Sequence, residues 1–287
     1  MRSYFILKNN ITSIAIGGFD GMHIAHQELF KCLDKNGAII VIETGYANLT
    51  PKVNRANHTF YPLYYYPLED IKHLNAKEFL ALLMQEYPNL RKIVIGFDFR
   101  FGTKASYGIS DLKLLFSGEV IVVDEFSKDG IAVHSRIIRE YISNGNIKKA
   151  NLFLNKSYSI SGKHIRGQGI GAKQFVATIN IDCENFLVPQ AGIYASYTII
   201  DNTKYKSVTF LGHRLSTDGK YAIETHILNQ EINNTSSNIK IEFIEKIRDN
   251  KKFDDFEDLK KEILNDISKA KVILDNIIIQ SRNKYEK

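Results

Sequence analysis

The stretch Ile11-Thr12-Ser13-Ile14-Ala15-Ile16 runs into Gly17-Gly18-Phe19-Asp20-Gly21-Met22-His23-Ile24-Ala25-His26, and a helix-like segment follows from Gln27 to Leu33. An apolar strand, a glycine turn, two histidines three apart and a helix form a layout that places a nucleotide's phosphates. Glycine lets backbone N–H groups approach an anion closely. A helix N-terminus adds partial positive charge. His23 and His26, at i and i+3, can face one ligand from a first helical turn. Gly18, Phe19, Asp20 and Gly21 make up the candidate nucleotide-binding turn, with His23 and His26 as catalytic candidates.

Working outward, the first half of the chain alternates strand-like and helix-like pieces. Gly37–Glu43, Lys92–Gly96 and Val120–Val123 are apolar, β-branched runs. Asn75–Tyr87, Ser110–Phe116 and Ser135–Ser143 carry helical spacing, the first with Asn75 as N-cap. This alternation predicts a parallel sheet with crossover helices. Ligands of such sheets bind beyond the carboxyl ends of strands. Both Gly17–His26 and Gly96–Gly102 fall at such ends.

After about Leu154 the pattern changes. Tyr158–Gly162, Ala191–Ile200, Lys206–Leu211, Tyr221–Leu228 and Asn238–Ile244 are alternating or β-branched runs separated by turn residues. They predict a small antiparallel β-barrel. A last helix is expected from Asp255, its N-cap, to about Gln280. The period change alone sets two domains, 1–155 and 156–287. A length of 287 residues is comfortable for two.

Composition narrows the partners. With 44% hydrophobic and 24% charged residues, the chain has the make-up of an ordinary soluble protein. A net charge of +6 suits anionic small molecules. No Lys/Arg run has the density of a nucleic-acid tail, so no nucleic-acid partner is expected. No apolar run nears the roughly 18 residues of a membrane span, and no membrane partner is expected. Met1-Arg2-Ser3-Tyr4 does not open a signal peptide. Cys32 and Cys183 read as free buried thiols in a reducing compartment, so the expected location is cytoplasmic.

Three further segments carry chemistry. Ile95-Gly96-Phe97-Asp98-Phe99-Arg100-Phe101-Gly102 reads either as a turn under aromatic packing or as a pocket for a planar ligand. In the second case Phe99 and Phe101 stack a ring and Asp98 bonds its polar edge. Val133-His134-Ser135-Arg136-Ile137-Ile138-Arg139 is a capped helix start, or an anion clamp built from Ser135 and Arg139. Ser161-Gly162-Lys163-His164-Ile165-Arg166-Gly167-Gln168-Gly169-Ile170-Gly171 is dense in glycine beside basic residues. It is expected to be a phosphate-binding loop, with Gly162, Lys163, Gly167 and Gly171 as contacts. Thr178 and Asn180 follow at i, i+2 on a predicted strand and share a face. Their oxygens suit Mg²⁺ bridged by substrate phosphates. Glu224 is an acid inside an apolar strand: a surface residue if read alone, a general base if near a metal and a hydroxyl nucleophile.

Taken in order, these motifs resemble the bacterial bifunctional riboflavin kinase/FAD synthetase family over nearly the whole chain. Gly17–His26 is similar to the G-x-F-D-G-x-H-x-G-H signature of its adenylyltransferase, with Ala25 for the internal glycine. Ile95–Gly102 resembles V-G-x-D-F-x-F-G, and His134–Arg139 stands where the family has S-S-T-x-I-R. Ala150–Asn155 with Tyr158–Gly162, Pro189 with Ala191–Tyr194, Ile223–Leu228, and Ile247-Arg248 with Lys252-Phe253 continue the order.

The resemblance implies a Rossmann-like α/β nucleotidyltransferase domain, then a small antiparallel β-barrel domain with a C-terminal helix. It implies ATP as co-substrate, Mg²⁺ at Thr178 and Asn180, riboflavin as substrate, and FMN and FAD as products. Glu224 would take the ribityl hydroxyl proton, and Arg248 would border the flavin. The chain departs from the family at Phe175-Val176-Ala177-Thr178-Ile179-Asn180, where the family has G-x-P-T-A-N. It departs again at His134 and Arg136, and at Thr44–Pro51, where a T-F-x-P-H-P-type stretch is usual. Two alternatives follow: an FAD synthetase with a weakened kinase, or a non-enzymatic flavin- or nucleotide-binding regulator.

Overall fold

Five parallel strands in the order β3-β2-β1-β4-β5 make the first sheet of the computed structural model. The structure describes residues 7–165, 176–216, 218–230, 232 and 238–285. The strands are β1 (Ser13–Gly17), β2 (Gly37–Glu43), β3 (Leu63–Pro67), β4 (Lys92–Gly96) and β5 (Glu119–Val123). Among them run α1 (Ile24–Lys31), α2 (Leu68–Ile71), α3 (Ala76–Glu86) and α4 (Ile109–Leu115). The period of two along β1 sends Ile14 and Ile16 to one face and Ala15 to the other. Ile14 and Ile16 pack with Phe79 and Leu83 of α3, while Ala15 packs with Leu29 and Phe30 of α1. Asn75 caps α3 through a reciprocal capping box with Glu78. The chain leaves β1 on one side for β2 and β3 and returns on the other for β4 and β5. The crevice between the ends of β1 and β4 is therefore the topological switch point.

A short hairpin, β6 (Ser127–Lys128) with β7 (Ile131–Ala132), leads to α5 (Ser135–Ser143). The chain divides into two compact units, Met1–Ser135 and Arg136–Lys287. The second contains α6 (Ile147–Leu154) and a closed barrel in the order β10-β11-β12-β9-β8-β13. Its strands are β8 (Tyr158–Ile165), β9 (Ile179–Asp182), β10 (Gly192–Ile200), β11 (Thr203–His213), β12 (Tyr221–Ile227) and β13 (Asn238–Arg248). Closure leaves no open sheet edge. The last helix, α7, spans Phe256–Tyr285, with the Asp255 carboxylate accepting the Glu257 N–H at 3.0 Å. Its Ala270 and Leu274 pack on Ile193, Ala195 and Val208 of the barrel wall.

The α/β-then-barrel architecture matches the expectation from the sequence. Three details differ. Leu63–Pro67 is a fifth parallel strand, although Leu-Tyr-Tyr-Tyr-Pro shows no apolar alternation. Ile147–Leu154 is a separate helix capped by Asn146. Gly162 and Lys163 lie in β8 and not in a loop, paired with β13 and β9. A Cβ on Gly162 would stand 2.2 Å from the Asp182 carbonyl oxygen, so glycine is needed there for close strand approach. Cys32 and Cys183 are free and half-buried, and burial pushes the Cys183 thiol up to about 11.

Candidate functional site

In the first unit a cleft opens at the β1/β4 switch point. Gly17, Gly18, Phe19, His23 and His26 line it from one side, and Gly96, Phe97, Asp98 and Phe99 from the other. The wall is completed by Val123–Phe126 and Val133–Ser135. Three segments far apart in sequence thus meet at one point. His23 is the N-cap of α1, and its Nδ1 accepts the His26 N–H at 3.4 Å. The two imidazoles stack with centroids 3.5 Å apart and planes 19° apart. Phe19 meets the His26 ring edge-on at 5.1 Å. Phe19 and Met22 hold φ of 46° and 45°, a region costly for residues other than glycine. Both are buried against Leu29 and Phe30, and this packing holds the loop in that shape.

Not every residue of the turn faces the cleft. The buried Asp20 carboxylate accepts backbone N–H groups from Asn48 (3.2 Å), Leu49 (3.0 Å) and Thr50 (2.9 Å). The Gly21 N–H donates to Thr50 Oγ1 at 2.8 Å. These two shape the turn and are not among the cleft lining. Phe101 packs in the core with Phe79 and Tyr107, not on the cleft. Ser135 does line the cleft, but its hydroxyl donates to the Asp20 carbonyl oxygen at 2.8 Å. It is the first residue of α5 and not its cap. Arg139 follows one turn along that helix, in the second unit. Phe97, Asp124, Glu125 and His134 line the cleft without having been singled out as contacts. His134 and Glu125 are paired, Nε2 to Oε1, at 3.1 Å. The signal for His134 was its departure from the family motif.

In the second unit Glu224 of β12 and Asn180 of β9 are register partners. Side chains of directly opposite residues leave a sheet on the same face. Arg214, just beyond β11, donates from Nη1 to Glu224 Oε1 at 3.3 Å, and its Nε lies 3.2 Å from Asp218 Oδ1. Burial raises the Glu224 carboxyl above the usual range, opposed by the Arg214 charge and helped by Asp218. Arg214 contacts both Glu224 and Asp218, and motif reading picked out neither Arg214 nor Asp218. Thr178 precedes β9 directly. The neighbouring Ala177, where the family has proline, has its carbonyl oxygen held by His226 Nδ1 at 2.8 Å. Gly167 and Gly171 lie outside the described residues. Arg248 is engaged by α7: Nε reaches Asp266 Oδ1 at 3.0 Å and Nη2 reaches Oδ2 at 2.7 Å. Asp266 is buried, so this fork holds a carboxylate of the fold and is not turned to a flavin.

A riboflavin kinase family model matches residues 154–274, which takes in the whole barrel and much of α7. A bifunctional riboflavin kinase/FMN adenylyltransferase of Buchnera aphidicola (from Acyrthosiphon pisum) is 29% identical, the match covering 90% of this chain and 92% of the relative. A protein of the same name from Haemophilus influenzae is 24% identical over 92% and 94%. A crystal structure from Streptococcus pneumoniae, described as a macrolide-efflux protein, superposes with a TM-score of 0.81 at 25% identity, covering 91% of this chain and 94% of that one. Among the described residues of this chain no helix is long and apolar enough to cross a membrane. The relatives match this chain across both the parallel-sheet unit and the barrel, and over 90% of its length the chain is similar to a bifunctional riboflavin kinase/FMN adenylyltransferase.

Proposed function

We propose that the chain makes FAD from riboflavin in two ATP-dependent steps, with residues 156–287 phosphorylating riboflavin and residues 1–155 adenylylating the FMN so formed. The observation that carries this reading is the pairing of Glu224 with Asn180 on the barrel wall. An adenylyltransferase acting on an unrelated acceptor would have no use for that pair.

In the barrel, Glu224 is the general base. Its raised carboxyl is matched to accepting the proton of the ribityl 5′-hydroxyl, and Arg214 fixes its orientation. The amide of Asn180 and the hydroxyl of Thr178 are neutral oxygen donors, the set that suits Mg²⁺ held mainly by substrate phosphates. Bound there, the ion would neutralise charge on the transferring phosphoryl group. Lys163, on β8 beside β9, adds positive charge near the same wall.

In the cleft, the FMN phosphate attacks the α-phosphate of ATP and pyrophosphate leaves. The attacking oxygen is already anionic, so no base is required. Catalysis there is placement and charge neutralisation. Gly18 and the first turn of α1 approach the phosphates, and His26 and His23 hold their oxygens. Asp98, Phe97 and Phe99 border a ligand ring. We place the enzyme in the cytoplasm, where its substrates are.

A chromatographic time course from riboflavin and ATP–Mg²⁺ tests the whole reading. FMN should appear first and FAD after it. FAD formed only from supplied FMN would remove the kinase half, and no FAD from FMN would remove the transferase half.

A further inference from the structure

Arg214 reaches the barrel wall from outside the strands. It follows β11 on the turn that leads into β12, and its guanidinium bridges Glu224 and Asp218. A turn residue is placed only as well as its turn is placed. Three backbone bonds shape this one. The Arg214 N–H donates to the Lys220 oxygen at 3.0 Å, the Gly219 N–H to the Arg214 oxygen at 3.1 Å, and the Leu215 N–H to the His213 oxygen at 2.8 Å. They join the turn to itself and set its shape, not its lean toward the wall that carries Glu224.

The segment 249–255, between β13 and α7, supplies that lean. The Asn250 amide donates to the His213 carbonyl oxygen at 2.7 Å, and the Phe253 N–H donates to Ser216 Oγ at 2.9 Å. The two ties grip the chain one residue before Arg214 and two residues after it. The approach is close: a Cβ on Gly212, which holds φ of +135°, would stand 3.3 Å from the Asn250 amide nitrogen. The segment is itself braced. Arg248 donates from Nη1 to the Asp249 carbonyl oxygen at 3.0 Å, and its guanidinium carbon lies 5.8 Å from the Phe253 ring centroid. The rest of its fork is fixed on Asp266 of α7. A line of contacts thus runs from α7 through Arg248 and the segment to His213 and Ser216, on either side of Arg214.

We infer that Asn250 is a positioning residue of the kinase reaction: through the His213 carbonyl oxygen it seats the β11–β12 turn so that Arg214 meets Glu224. The His213 oxygen has two lone pairs and accepts both the Leu215 N–H and the Asn250 amide. The seat matters because the contact it serves is slender. Arg214 Nη1 stands 3.3 Å from Glu224 Oε1, at the long end for such a bond. A shift of the turn by a few tenths of an ångström would break it, and Glu224 would lose the group that orients its carboxylate toward the hydroxyl. Asn250 touches no substrate and acts only through the turn. The inference rests on the reading of Glu224 as the kinase base.

The test is riboflavin phosphorylation by the full chain, with kcat and KM measured separately. Asn250→Leu, similar in size but without a donor, should lower kcat about five- to tenfold and leave both KM values within about twofold. Asn250→Gln, which keeps the amide, should recover most of the loss. In an Arg214→Gln background, Asn250→Leu should cost nothing further, whereas a purely structural role would cost the same in both backgrounds. An equal loss in the two backgrounds, or no loss in either, overturns the inference. Amide hydrogen exchange reads the seating without activity. The Arg214 and Gly219 amides should exchange faster in Asn250→Leu, with the amides of β10 unchanged as the internal standard. Unchanged exchange at Arg214 and Gly219 also overturns it. No FMN from the unaltered chain would refute the kinase reading instead, and the exchange measurement then still decides on the seating.

Discussion

The Ser135 hydroxyl donates to the backbone oxygen of Asp20 at 2.8 Å across 115 positions of sequence. The same Asp20 gathers three consecutive backbone N–H groups, those of Asn48, Leu49 and Thr50, on its carboxylate. One residue thus joins the β1–α1 turn, the segment after β2 and the start of α5. This tie braces the turn that carries Phe19 and Met22, whose left-handed conformations are packed on Leu29 and Phe30. Asp20 shapes the turn and is not part of the cleft lining.

Asp20→Ala should leave the Leu49 and Thr50 N–H groups without their acceptor in a buried place, and that of Asn48 in a half-buried one. Each such loss costs about 1–3 kcal/mol, so the first unit should lose on the order of 3 kcal/mol or more in denaturant unfolding. FAD formation from FMN should collapse, while riboflavin phosphorylation by the same preparation persists. Retained FAD synthesis in Asp20→Ala would show that the turn keeps its shape without the clamp.

Much of this was legible from sequence because the local signals agree with the fold. The β1 run, the glycine turn and the Asn75 cap are each set by residues within a few positions. What escaped depends on distant partners. The role of Asp20 lies in N–H groups some thirty residues on, which carry no side-chain signature. Leu63–Pro67 is a strand because Val41 and its neighbours on β2 offer a parallel edge, not through its own pattern. Arg248 looked available for a flavin because its partner, Asp266, is on α7. Ser196 and Thr198, polar positions of a strand, are both fully buried in the barrel.

Riboflavin phosphorylation should have an acid limb set by Glu224. The active form is the carboxylate, so the rate is full above its pKa and is lost as pH falls through it. Burial raises that pKa, and the limb should lie above the ordinary glutamate range near 4.5. Arg214 lowers it, so Arg214→Gln should move the limb to still higher pH. Glu224→Gln should cut the kinase rate by about 10²–10⁴ and leave FAD formation from FMN unchanged. A pH profile that does not respond to Arg214→Gln would separate the base from Glu224.

His226 restrains the segment that carries Thr178 through the Ala177 carbonyl oxygen. Here a side-chain hydrogen bond does some of what proline does by fixing φ. His226→Ala should raise the kinase KM for Mg²⁺–ATP by about fivefold, the equivalent of one hydrogen bond of about 1 kcal/mol. An unchanged KM would mean that the segment is held by other contacts.

Inside the barrel five hydroxyls close a ring. Ser196 meets Ser207 at 2.8 Å, Ser207 meets Thr198 at 2.9 Å, and Thr198 meets Thr225 at 2.7 Å. Thr225 meets Thr209 at 3.1 Å, and Thr209 returns to Ser196 at 2.7 Å. All five side chains are fully buried. In such a ring each hydroxyl can donate once and accept once, so every member is satisfied. The ring ties β10, β11 and β12, and Thr225 is the neighbour of Glu224 on the opposite face of its strand. Breaking it in one place is worse than removing it. Thr225→Val should strand two hydroxyls and cost about 1–3 kcal/mol for each. Replacing all five, with alanine for serine and valine for threonine, should cost much less, because no polar group is left unpaired. Chemical denaturation of the two variants decides the point: a quintuple variant less stable than Thr225→Val would mean that packing, not hydrogen-bond closure, governs this core.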